Sequence, residues 1–141
     1  MPVDGIFSTT IDLLGKSIDL RARNQNLIAS NIANAETPNY VPKSLDFETQ
    51  LQGALKGGRQ SRGSDPSHPR HLPLKGDSAR LQEVRGTVIE TPAKTPGKDG
   101  NAVELENEMG RMVENQVMFN ASVQMLTKKF EGIRTAIREG K

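Results

Sequence analysis

From Ile6 to about Ala35 the apolar residues fall into three heptad-spaced rows: Ile6, Leu13, Leu20 and Leu27; Phe7, Leu14 and Ile28; Ile11, Ile18 and Ile32. At about 100° per residue these rows share one arc of roughly 140°, which predicts an amphipathic helix with a broad apolar face. Arg21 and Gln25 stand where two of the rows would continue. The segment holds no Pro and a single Gly, Gly15. The helix is expected to stop near Asn34 to Glu36, because Pro38 drives Thr37 out of the α region and Asn39 and Pro42 follow as breakers.

A second pattern begins at residue 101. Leu105, Met109, Met112, Gln116, Phe119, Val123, Leu126, Phe130, Ile133 and Ile137 alternate spacings of four and three, and Gln116 alone among them is polar. A period of about 3.5 residues sustained over more than four heptads is the seam of a left-handed coiled coil. Asp99 or Asn101 is placed to cap this helix, with Glu104, Glu106 and Glu108 near its positive end. Lys128, Lys129, Arg134, Arg138 and Lys141 load the opposite end.

Between the stripes, residues 53–100 carry 8 of the 13 Gly and 5 of the 8 Pro, with nine Lys or Arg against five Asp or Glu. Phe47, Leu51 and Leu55 at spacing four predict a short helix after the first breakers. Leu81 to Thr91, with Val84, Val88 and Ile89 around Gly86 and before Pro92, suits one short strand or hairpin arm. The expected fold class is therefore mainly α, with long N- and C-terminal helices forming an antiparallel coiled-coil pair around a small irregular, β-containing middle. Three zones form one domain: 1–36 as the N-terminal helix, 37–100 as the turn-rich basic middle, and 101–141 as the C-terminal coiled-coil helix.

A helix from Ile6 to Glu36 spans ~46 Å and one from Val103 to Arg138 ~54 Å, at about 1.5 Å per residue. Such rods outrun a compact domain of 141 residues, of which 34% are apolar, with no Trp and one Tyr, Tyr40. A two-helix pair leaves one side of each stripe wet, so helices from other copies are the expected cover and stable order is expected on assembly.

Chemistry has little foothold. Cysteine is absent, and the only histidines, His68 and His71, sit in a Pro-rich stretch where they offer at most two nitrogen ligands. Glu104, Glu106 and Glu108 alternate around a helix start and do not converge, and Gly57-Gly58 lacks the Lys-Ser or Lys-Thr of a phosphate loop. No catalytic residue, metal or cofactor is expected. The net charge of +2 demands no nucleic acid. Lys56, Arg59, Arg62, Arg70, Lys75, Arg80 and Arg85 would suit a small nucleic-acid-binding module, but aromatic residues for stacking are missing and both stripes would be left unexplained. A membrane-active secreted helical protein is the other alternative, opposed by mixed charge on the outer helix faces. The chain has no run of ~18 apolar residues and no secretory pattern after Met1, so neither direct lipid insertion nor a cleaved signal is expected.

The end of the first stripe reads Ala29-Ser30-Asn31-Ile32-Ala33-Asn34-Ala35-Glu36-Thr37-Pro38-Asn39-Tyr40. This resembles the flagellar rod and hook axial family, in which an Asn-Ile-Ala-Asn helix end leads into Thr-Pro-Gly-Tyr. Asn39 replaces the usual Gly, and Asn is the residue that best takes over a left-handed turn. Leu45-Asp46-Phe47 and the stretch from Asp99 to Met109 resemble the short, proximal-rod members of the family. The resemblance implies a non-enzymatic rod subunit that assembles with copies of itself, the other rod proteins and the rod-base adaptor, above the membrane ring and export gate. It implies a periplasmic rod location reached through the flagellar type III apparatus. It makes Asn31, Ile32, Ala33, Asn34, Thr37, Pro38 and Tyr40 an assembly signature, and Phe7 with Ile11 an element that engages the export gate.

Overall fold

The computed structural model describes residues 4–56, 81–93 and 96–139, with side chains described over 10–55, 81–93 and 96–138. Helix α1 spans Asp4–Ala33, strand β1 Lys43–Asp46, helix α2 Glu48–Lys56, strand β2 Thr87–Glu90 and helix α3 Leu105–Glu139. The protein is mainly α, with its two long terminal helices packed against each other and a small two-stranded sheet in the middle. His68 and His71, and Arg59, Arg62, Arg70, Lys75 and Arg80 of the basic set, lie outside the described residues.

Every apolar stripe position of α1 from Ile11 to Ile32 is at least half-buried, and Leu20 and Ile28 are fully buried. One edge of the stripe meets α3. The other holds the main apolar cluster, where Leu20 packs with Leu45, Phe47 and Val84, flanked by Leu27, Leu51 and Ala54. The stripe thus serves two neighbours at once, which is why its arc is broader than a coiled-coil seam requires.

β1 and β2 pair antiparallel, with Lys43 opposite Glu90 and Leu45 opposite Val88. Leu45 and Asp46 lie in this strand, so the short helix predicted from Phe47, Leu51 and Leu55 begins only at Glu48. In the segment from 81 to 91 the strand is confined to 87–90, and Leu81 and Val84 before it turn inward to the core while Val88 and Ile89 stay exposed. Gly86 makes the bend at φ 68°, and a Cβ there would lie 2.8 Å from the side chain of Leu45.

The start of α3 departs from expectation. The helix opens at Leu105, so neither Asp99 nor Asn101 caps it. Asn101 is spent on the other helix: its Nδ2 donates to the carbonyls of Asn34 (3.0 Å) and Thr37 (2.7 Å) just past the end of α1. Carbonyls left over at a helix end need partners, and a buried Asn supplies two donors at once. Among the described residues no helix is long and apolar enough to cross a membrane.

Candidate functional site

The junction at the end of α1 is built on asparagines. Asn34 Nδ2 donates to the carbonyl of Ser30 (2.8 Å), and its Oδ1 accepts from the hydroxyl of Thr37 (3.1 Å), closing the last turn locally. Asn39 has φ 58°, the left-handed conformation expected of it, and its backbone N–H donates to the carbonyl of Asp99 (3.2 Å). Its side chain lies against Gly100, itself at φ 78°, where any Cβ would collide with Asn39 Oδ1. Ala102 donates its backbone N–H to the carbonyl of Tyr40 (3.0 Å), so the strand of chain entering α3 is strapped to the signature turn.

Asn31 does not cap α1; it reaches across the molecule. It is 1% exposed, and its Nδ2 donates to the carbonyl of Lys43 (2.7 Å) and to Glu108 Oε2 (2.8 Å). Its Oδ1 accepts from the backbone N–H of Lys43 (2.9 Å) and from the Tyr40 hydroxyl (3.3 Å). Both donors and both acceptor positions of the amide are therefore used. The Lys43 N–H dictates the orientation, since a flipped amide would set donor against donor. Glu108, 3% exposed, takes its second bond from Arg111 (2.9 Å).

Seven residues back on α1 and seven forward on α3, the pattern repeats. Asn115 is buried; its Nδ2 donates to the Arg21 carbonyl (2.9 Å) and Gln25 Oε1 (2.7 Å). Its Oδ1 accepts from Asn24 Nδ2 (3.4 Å), while Asn24 Oδ1 accepts from the Leu45 N–H (3.3 Å). Asn31 and Asn24 together thus satisfy Lys43 and Leu45 along the edge of β1 that faces away from β2. A polar ladder with one heptad between rungs fixes both the register of α1 on α3 and the seat of the sheet on α1.

Sequence reasoning missed Asn24 and Asn115, and it read Glu108 only as a charge near the positive end of its helix. On a stripe reading they are polar gaps; the available signal was that Asn24 with Asn31, and Glu108 with Asn115, repeat at the same interval. Gln25, counted as an interruption, is a ladder member. Arg21, the other interruption, lies with its guanidinium 5.5 Å from the Phe47 ring centre and 3.4 Å from Glu48 Oε1. Its Nε is buried without a hydrogen-bond partner among the described residues.

The remaining signature residues divide between inside and outside: Ile32 and Tyr40 are half-buried, while Ala33, Thr37 and Pro38 are exposed. The seam residues of α3 separate in the same manner. Met112, Phe119, Leu126 and Ile133, one heptad row, are half-buried toward α1. Leu105, Met109, Val123, Phe130 and Ile137 are exposed, the last two at 52% and 71%. Val113, Val117, Met118 and Met125 extend this exposed apolar surface around α3. Ile11 is half-buried; the Phe7 side chain, its partner in the export-gate element, is outside the described residues.

Two long terminal helices, a clamped asparagine junction and a wet apolar α3 define a class of subunit, and residues 19–40, which contain that junction, match the family described as "Flagella basal body rod protein". Over 132 residues the chain is 31% identical to the flagellar basal body rod protein FlgB of Cereibacter sphaeroides, covering 94% of this chain and 96% of the relative. It is 27% identical over 130 residues to FlgB of Salmonella typhimurium and 25% identical over 128 residues to FlgB of Escherichia coli K12, in each case covering 89% of this chain and 90% of the relative. The chain belongs to the FlgB family of flagellar basal body rod proteins.

Proposed function

We propose that this rod component forms the cell-proximal part of the flagellar rod, polymerising through α1 and α3 so that the packed terminal helices transmit torque and line an export channel. Its neighbours are further copies of itself, the other rod proteins, the adaptor at the rod base, and the ring and export gate beneath. It reaches the periplasm unfolded through the flagellar type III apparatus, with Phe7 and Ile11 engaging the gate. It acts by shape and contact, without catalysis, cofactor or metal.

The observation that carries the reading is the exposed apolar surface of α3. A monomeric protein rarely leaves as many large apolar side chains as Leu105, Met109, Val113, Val117, Phe130 and Ile137 exposed along one helix, and large apolar surfaces of this kind mark contact surfaces. The assembly signature supports it differently: Asn31, Asn34 and Tyr40 hold the junction from within and leave Ala33, Thr37 and Pro38 on the outside as contact points.

Hydrogen exchange on the free chain and on purified basal bodies containing it tests the proposal. Amides of α1 and α3 are expected to exchange markedly faster in the first than in the second. Equal protection in both states would show that the helices gain nothing from assembly and would sink the reading.

A further inference from the structure

The two edges of the small sheet are unlike. Thr91 donates its N–H to the carbonyl of Pro42 (2.9 Å), one position beyond the pair Lys43 and Glu90. Bonded and non-bonded pairs alternate along an antiparallel ladder, so Ser44 with Ile89 and Asp46 with Thr87 are the bonded ones. The backbone groups of Lys43 and Leu45 therefore point away from β2, where Asn31 takes both groups of Lys43 and Asn24 takes the N–H of Leu45. On the opposite edge the outward groups are those of Val88 and Glu90, and among the described residues no hydrogen bond reaches them. Edge strands are ordinarily blunted by Lys, Pro or a bulge. β2 reads Thr87-Val88-Ile89-Glu90, is exposed along its whole length and carries none of these.

We propose that β2 is the contact strand for a second copy of the chain, paired antiparallel with β2 of the partner subunit about a two-fold axis between the two Ile89 residues. The outward groups fix the register. Setting Val88 opposite Glu90 of the partner subunit, and Glu90 opposite Val88 of the partner subunit, makes both pairs bonded, with two hydrogen bonds each. A slip of two residues one way opposes Glu90 to the partner's Glu90, like charge on like, and Val88 to the partner's Pro92, which has no N–H. The reverse slip opposes Glu90 to the partner's Gly86, where φ 68° bends the chain out of the strand. In the favoured register Ile89 meets the partner's Ile89 in a non-bonded pair, where side chains come closest, and Thr87 meets the partner's Thr91. Glu90 then faces Val88 on one side and keeps Lys43 across the ladder on the other, so no carboxylate is set against another. A second copy fits because residues 87–91 read in reverse supply everything the edge asks for. Two strands are a small sheet, and the pairing makes one of four. The contact uses no residue of α1 or α3, and so is separate from the polymerisation surface.

The chain has no cysteine, so one introduced thiol reports on the contact. Ile89→Cys is expected to form a disulfide-linked dimer at least about tenfold faster than Thr87→Cys or Val88→Cys, because Cα atoms opposed in a non-bonded pair lie about 4.5 Å apart, within disulfide reach. Ile89 is on the sheet face away from the buried Leu45, so charge there is expected to leave the fold intact. Sedimentation of the unmodified chain at about 200 μM is expected to show a dimer. Ile89→Lys and Ile89→Glu are each expected to raise its dissociation constant at least about tenfold, and an equimolar mixture of the two to recover it. A monomer at that concentration, equal cross-linking at the three positions, or a mixture no better than either charged variant alone would each overturn the proposal. Melting by circular dichroism separates loss of dimer from loss of fold, and the cysteine series decides the matter by itself if a charged variant unfolds.

Discussion

Asn31 and Glu108 meet 2.8 Å apart between α1 and α3, a neutral amide donating to a carboxylate that solvent barely reaches. A buried carboxylate is tolerated only when its oxygens are bonded, and here Asn31 holds one oxygen and Arg111 the other. The same amide binds both backbone groups of Lys43. One side chain therefore joins both terminal helices and the sheet.

Replacing Asn31 with Leu keeps the volume and removes every one of these bonds. Each buried group left unpaired costs about 1–3 kcal/mol, so Asn31→Leu is expected to lower the urea midpoint well beyond the effect of a surface change. Asn31→Asp is expected to be worse at neutral pH, since it sets two carboxylates in contact. Urea unfolding at neutral pH checks both; an Asn31→Asp deficit no larger than that of Asn31→Leu would contradict the placement of Glu108.

At the junction turn, Asn39→Gly is expected to leave stability within about 0.5 kcal/mol of the parent, because both residues adopt a positive φ readily. Gly100→Ala should destabilise by about 1–3 kcal/mol, combining strain at positive φ with the collision against Asn39. Adding Asn39→Gly to Gly100→Ala should recover the collision and leave the strain. Thermal melts of the three variants separate these contributions, and simple additivity would refute the contact.

The two rows of the α3 seam make separable demands. Leu126→Asp, in the row toward α1, is expected to destabilise the free chain by about 1–3 kcal/mol. Phe130→Asp, in the exposed row, should leave its melting temperature nearly unchanged. Both are expected to block incorporation into the rod and motility while leaving secretion largely intact. Normal swimming with Phe130→Asp would remove the exposed row from the assembly contact.

Arg21 offers a test of a cost. Its ion pair with Glu48, a residue 68% exposed at the side chain, is worth little, and its Nε is buried without a bond among the described residues. Arg21→Met keeps the stem against Phe47 and is expected to be neutral or stabilising. Arg21→Ala loses that packing and should cost about 1–2 kcal/mol. A larger loss for Met than for Ala would show that the charge itself matters.

The two long helices, their antiparallel pairing and the left-handed turn at Asn39 were legible in the sequence, because a heptad period and a Gly/Asn turn position each depend on a few neighbouring residues. The ladder was not. Asn24, Glu108 and Asn115 are polar residues in an apolar interface, and their partners on the other helix lie 77 to 94 positions away along the chain. The start of α3 was misplaced for a related reason: Asn101 reads as a local cap, yet it spends its donors on a helix end 67 positions earlier. Whether an exposed apolar residue faces a partner or solvent is likewise decided by tertiary placement, as Phe119 and Phe130, alike in pattern, demonstrate.

Leu51 and Ala54 of α2 and Val84 rest on the same patch around Leu20 and Phe47. The chain therefore departs and returns at a single address on the molecule, one that α1 itself helps to build. A short insertion between residues 56 and 81 would enter between two segments held on that one patch, and is expected to leave the melting temperature nearly unchanged.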